Sequence, residues 1–135
     1  MRIATLIIFC ISFFFANAQQ NEKLDSLEVF LTQCPADTIK LKTYSQLINS
    51  YTYSNPERAV ELCEEMAVLA NSLKNKQYMA VAQKSRGNQF YLKGNYAGAM
   101  DKYLIALNLM EENGQKSATA GLLHNIGMIY IKWEN

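Results

Sequence analysis

Residues 80–114 read AVAQKSRGNQFYLKGNYAGAMDKYLIALNLMEENG, and this stretch decides the fold. A first helical segment runs from about Ala80 to Lys93 and meets Gly94, which can take the left-handed conformation that ends helices. Asn95 follows as an N-cap. Behind it, Tyr96, Ala99, Met100, Tyr103, Leu104, Ala106, Leu107 and Met110 fall at the i, i+3, i+4, i+7 spacing of one helix face. Asp101, Lys102, Asn108, Glu111 and Glu112 lie largely off that stripe, and Gly114 supplies a second stop. The stretch is a pair of helices joined by a tight turn.

The preceding segment has the same plan. Asn55-Pro56-Glu57 combines a capping side chain, proline at the first helical position and an acid in the first turn. Ala59, Leu62, Cys63, Met66, Leu69, Ala70 and Leu73 form the stripe of that helix, and its partner covers about Thr38 to Tyr53 with Asp37 as cap. An offset of 40 residues pairs Gly87 with Gly127, Ala59 with Ala99, Tyr51 with Tyr91, Asn55 with Asn95, Leu69 with Leu109, and Phe90 with Tyr130. Six matches on one offset mark an internal repeat. The small residues have a packing reason, because helices in a hairpin approach closely only where one surface is small. Gly87, Gly127, Ala59, Ala99 and Ala106 are expected to give that room, with Tyr103, Phe90 and Tyr130 filling the rest.

The chain's start belongs to a different category. Met1-Arg2, the apolar run Ile3 to Phe15, and Ala16-Asn17-Ala18 have the three-part layout of a secretory signal peptide. The run is shorter than the ~20 apolar residues of a spanning helix. The chain is therefore expected to be exported, periplasmic or extracytoplasmic after cleavage near Ala18. Glu22 to Gln33 reads as a short amphipathic helix carrying Leu24, Leu27, Val29, Phe30 and Leu31, a cap over the first repeat. The expected organisation is a signal peptide over 1–18, a capping helix over 19–38, repeats over 39–79 and 80–119, and the first helix of an incomplete third repeat over 120–135. In that last segment Ile126, Ile129, Tyr130 and Trp133 are expected to be partly uncovered, as in the N-terminal piece of a longer protein or a truncated reading frame. A free-standing short array that dimerises through this open end is the second expectation.

These residues resemble the tetratricopeptide repeat family. Gly87, Tyr91, Gly94, Tyr96, Ala99, Tyr103 and Ala106 carry the pattern, and Leu123, Gly127 and Tyr130 open another copy, over about residues 40–135. Gln83 and Arg86 depart from it, standing where a bulky aromatic and a leucine are expected; the unit is also longer than the family's usual ~34 residues. The resemblance implies an all-α fold of helix-turn-helix repeats stacked as a short right-handed α-solenoid. In style it is similar to the exported repeats in front of bacterial sensor kinases, cyclases and regulators. It also implies a partner-binding concave face, on which Lys84 and Asn88 match two residues of a carboxylate clamp and Asn125 matches a third. Tyr51, Tyr91 and His124 belong to the same expected surface.

Composition narrows the function. The thirteen Lys+Arg and twelve Asp+Glu become equal once Arg2 leaves with the signal peptide, so nothing here is built to neutralise phosphates and nucleic acid is not expected. His124 is the only histidine, and no Gly-rich phosphate loop or nucleophile elbow occurs. No enzyme activity, cofactor or metal is expected. Cys63 lies on an apolar stripe and is expected to pack as a small hydrophobe rather than to bridge Cys34. The expected function is an exported protein-interaction scaffold, the N-terminal sensory or docking part of a longer signalling protein, with a protein or peptide partner and a membrane-anchored parent chain beyond residue 135 as one context. The alternative is a helical sensor of a small apolar ligand held at the open end.

Overall fold

The computed structural model describes residues 22–134. The expected signal peptide lies outside the described residues. The chain divides after Cys34 into two units. Of the first, one helix is described, α1, over residues 22–33, with Cys34 donating its backbone N–H to the Phe30 carbonyl at its end. The second unit holds α2 (Thr38–Ser54), α3 (Pro56–Ser72), α4 (Lys76–Leu92), α5 (Tyr96–Glu112) and α6 (Lys116–Trp133). The protein is all-α, and α2 to α6 pack in sequential order as antiparallel hairpins. No helix among the described residues is long and apolar enough to cross a membrane.

Capping chemistry sets the helix starts. The side chain of Asp37 accepts from the Ile39 and Lys40 N–H groups, Asn55 from Arg58, Asn75 from Tyr78, and Asn95 from Gly98. Each satisfies a donor that the first helical turn leaves without a partner. Gln115 holds the same place before α6 without a side-chain cap bond. These last four caps recur every 20 residues, so the 40-residue offset in the sequence is two helices of equal length.

The turns repeat as faithfully. Lys74, Gly94 and Gly114 have φ of 52°, 73° and 68°, and each donates its N–H to a carbonyl three residues back. The following residue reaches five back: Asn75 to Ala70, Asn95 to Phe90, and Gln115 to Met110. This arrangement satisfies the carbonyls at a helix end and needs a left-handed residue. At two turns that residue is glycine; at the third it is Lys74, which has a Cβ to accommodate. The segment from about Ala80 expected for α4 therefore begins too late: the helix starts at Lys76, because a lysine takes the glycine's role. Likewise α6 starts at Lys116, four residues ahead of the expected segment over 120–135. Lys74→Gly is expected to raise stability by about 1 kcal/mol in a denaturant titration, by relieving the left-handed strain.

Packing follows the stripes, with exceptions. In α3, Ala59, Leu62, Cys63, Met66 and Ala70 are buried, opposite Leu41, Thr43, Tyr44, Leu47 and Ile48 of α2. Tyr44 closes this hairpin by donating its hydroxyl to Glu65 at 3.0 Å. Cys63 and Cys34 are both free, and burial pushes the Cys63 thiol up to about 12, against the smaller opposing pull of Arg86. A second core joins Ala80, Ala99, Met100, Tyr103, Ala106 and Met110 to Leu122, Ile126 and Ile129 of α6. The expectation that Ile126 and Ile129 are left partly uncovered is corrected here: together with Leu122 they seat α6 against α5 and are buried. Tyr130 and Trp133 are exposed, stacked edge to face with ring centroids 5.9 Å apart. Leu104, expected on the α5 stripe, is also exposed.

Candidate functional site

A hollow of about 280 Å³ is formed along α2, α4 and α6. Thr52 and Tyr53 come from α2, Asn88, Tyr91 and Leu92 from α4, and Asn125 and Met128 from α6. Tyr103 of α5 reaches into it from below. Alternate helices of the array thus contribute to one cleft.

Tyr103 occupies its place because Gly87 lets it. A Cβ at Gly87 would overlap the Tyr103 ring and stand 3.3 Å from the Ala99 carbonyl oxygen. With the glycine in place the ring packs against α4, and its hydroxyl donates to Asn88 Oδ1 at 2.8 Å. Asn125 Nδ2 also points at Asn88 Oδ1, at 3.5 Å. The Asn88 carbonyl is therefore occupied from inside the protein, which leaves its Nδ2 amide as a donor and the Asn125 carbonyl as an acceptor. Thr52 donates its hydroxyl to the Ile48 carbonyl at 2.7 Å and keeps its lone pairs for a guest. Tyr91 is fixed by a tilted contact with Tyr96, centroids 5.4 Å apart.

Polar groups stand among apolar ones in the lining, and none of its described residues is charged. Tyr103 remains a neutral phenol: burial first, then the phenols of Tyr91 and Tyr53, push it up to about 12. A phenol raised above its ordinary value near 10 favours the folded state fully below pH 10, and that contribution disappears as pH climbs from 10 through 12. Tyr103→Phe is expected to lose about 1 kcal/mol at neutral pH, the value of the lost hydrogen bond. Its stability should then fall less steeply than the native protein's between pH 10 and 12 in parallel urea titrations.

Among the residues expected on a binding surface, the hollow brings together Asn88, Tyr91 and Asn125. Among the described lining residues, Lys84, Tyr51 and His124 do not appear; Lys84 and Tyr51 are half-buried and His124 is exposed. Thr52, Tyr53, Leu92 and Met128 join the site without having been expected there. The 40-residue offset already pairs Thr52 with Leu92 and Asn88 with Met128, so the repeat register contained the signal. Among the residues expected to pack the repeats, Gly87, Ala59, Ala99, Tyr103 and Ala106 are buried, and Gly94 forms the turn. Gly127 and Tyr130 stand differently: a Cβ at Gly127 would meet nothing within 4 Å, and the Tyr130 ring is exposed.

Among the described residues, no group of three or more His, Cys, Asp or Glu is placed to hold a metal ion. The chain matches no protein-family model, no curated protein and no solved structure. What the hollow can bind is therefore set by its own chemistry. An amide donor beside an amide acceptor, walled by tyrosine, leucine and methionine, complements a peptide group and an apolar side chain.

Proposed function

We propose that the chain is an exported protein-interaction scaffold of tetratricopeptide type, which takes an extended, uncharged peptide segment in the hollow along α2, α4 and α6. In this reading the scaffold serves as a docking element in signalling. Support comes from one observation above others: Asn88, Tyr91 and Asn125, from α4 and α6, meet residues of α2 in a single cleft with no charged residue among its described lining residues. The equal 20-residue spacing of helices and turns supports stacked repeats. Stacked hairpins present a rigid surface, and a few side chains on it select the partner. The site calls for binding and performs no chemistry.

The neutral lining also distinguishes two kinds of peptide. A C-terminal carboxylate needs a cation, and Lys84 does not line the hollow. An internal segment needs only amide partners. Photocrosslinked capture from the cell envelope tests this with three changes at lining residues, Tyr53→Ala, Asn125→Ala and Met128→Asp. The combined variant is expected to lose capture while its far-UV circular dichroism is unchanged, and Lys84→Ala is expected to retain it. Capture that survives the triple change overturns the assigned surface; loss in Lys84→Ala alone returns the site to a carboxylate clamp.

A further inference from the structure

We propose that a second, smaller hollow between α3 and α4 is a binding site for a small monoanionic oxyanion, a carboxylate. Val60 of α3 and Arg86, Gln89, Phe90 and Lys93 of α4 line a cavity of about 90 Å³. Gln89 is 4% exposed, yet neither its Oε1 nor its Nε2 has a hydrogen-bond partner. A buried amide with both its donor and acceptor functions unmet is costly, and native interiors leave few such groups. Gln83 Oε1 also lacks a partner but does not border this cavity. Room for a guest exists, since a water occupies about 30 Å³.

Charge identifies the guest. Arg86 Nη2 stands 3.5 Å from Glu64 Oε1, a single long contact for a group with several donors to place. Lys93 makes no ion pair among the described residues. Arg86 and Lys93 both border the cavity, and the one carboxylate paired with either, Glu64, is not among its described lining residues, so a monoanion neutralises the charge that Glu64 leaves over. A phosphate carrying nearly two charges would exceed it. The planar guanidinium offers a fork matched to a carboxylate, and Gln89 Nε2 adds a neutral donor, while Gln89 Oε1, which an acceptor-only carboxylate cannot serve, is left to a water. Val60 and Phe90 wall the space with apolar surface, which suits the carbon that carries the carboxylate and strengthens the polar contacts. Water can satisfy the Gln89 amide but not the excess charge. None of these residues lines the larger hollow, so this site stands or falls apart from the peptide reading.

The test follows the Gln89 side-chain amide resonances of the ¹⁵N-labelled protein during titration with sodium acetate, ionic strength held constant with sodium chloride. A saturable shift is expected, with a Tm rise of a few degrees from ligand linkage. Arg86→Met should abolish both responses. Gln89→Leu should melt higher than the native protein without acetate, because the unmet amide is gone, and should gain nothing when acetate is added. Inorganic phosphate, run in parallel, is expected to shift the resonances about tenfold less effectively, and tighter binding of phosphate overturns the monoanion assignment. No saturable shift, or an acetate response that survives Arg86→Met, overturns the site and leaves Gln89 to water.

Discussion

Gly87→Val is expected to lower stability by about 3 kcal/mol, roughly 10 °C or more in Tm, the upper end of what overpacking costs. The new Cβ would overlap the Tyr103 ring, which has little room to give. Tyr103 is 2% exposed, lies in the core shared by α4, α5 and α6, and is held at its far end by the hydrogen bond to Asn88. Moving the ring breaks that bond; moving the helix instead separates α4 from α5, the most extensive helix contact among the described residues. The matched control is Gly127→Val, the same change 40 residues on, where a Cβ meets nothing within 4 Å. There the effect is expected to stay within about 0.5 kcal/mol, since valine is no worse than glycine in a helix. Chemical denaturation of the pair measures the packing and leaves the propensity aside. Equal losses at both positions would mean that Tyr103 is not what Gly87 accommodates.

The second large effect is expected at α6. Leu122→Ala should cost about 3 kcal/mol, within the range for deleting a buried leucine. Leu122 is fully buried in the cluster that joins α5 and α6, with Ile126 and Ile129 the other anchors. Among the described helices no other makes an extensive contact with α6, so little else can compensate. Leu123→Ala, one position along and 51% exposed, should change stability by less than about 0.5 kcal/mol. Hydrogen exchange should show α6 losing protection first in Leu122→Ala, while α2 and α3 keep theirs. Uniform loss of protection along the chain would instead mean that the five helices of this unit unfold as one.

Much of this architecture was legible because apolar spacing and capping residues act locally. Asp37, Asn55-Pro56 and Gly94-Asn95 mark helix boundaries by their chemistry alone, and the structure places them there. The turn at Lys74 was not legible, because its left-handed residue is a lysine and the hydrogen bonds that hold it belong to neighbouring helix ends. Ile126 and Ile129 were misjudged for a related reason. Periodicity names the residues of a face but not how far a preceding helix can cover it, and α5 is broad enough to cover both. The site was partly legible. Asn88, Tyr91 and Asn125 stood out by type and register; Thr52, Leu92 and Met128 share that register but are ordinary residue types, and only the assembled cleft marks them as lining. Gln89 gave no signal at all, since a glutamine within a helix looks solvated until the partner helix is in place.

The proposed function is tested most directly by selecting linear peptides from a random display library against the native protein and against the Tyr53→Ala, Asn125→Ala, Met128→Asp variant. Peptides sharing an uncharged core of a few residues should enrich on the native protein, bind without a free C-terminus, and fail on the variant. Enrichment that is equal on both proteins, or no enrichment on either, would contradict a peptide-binding cleft along α2, α4 and α6.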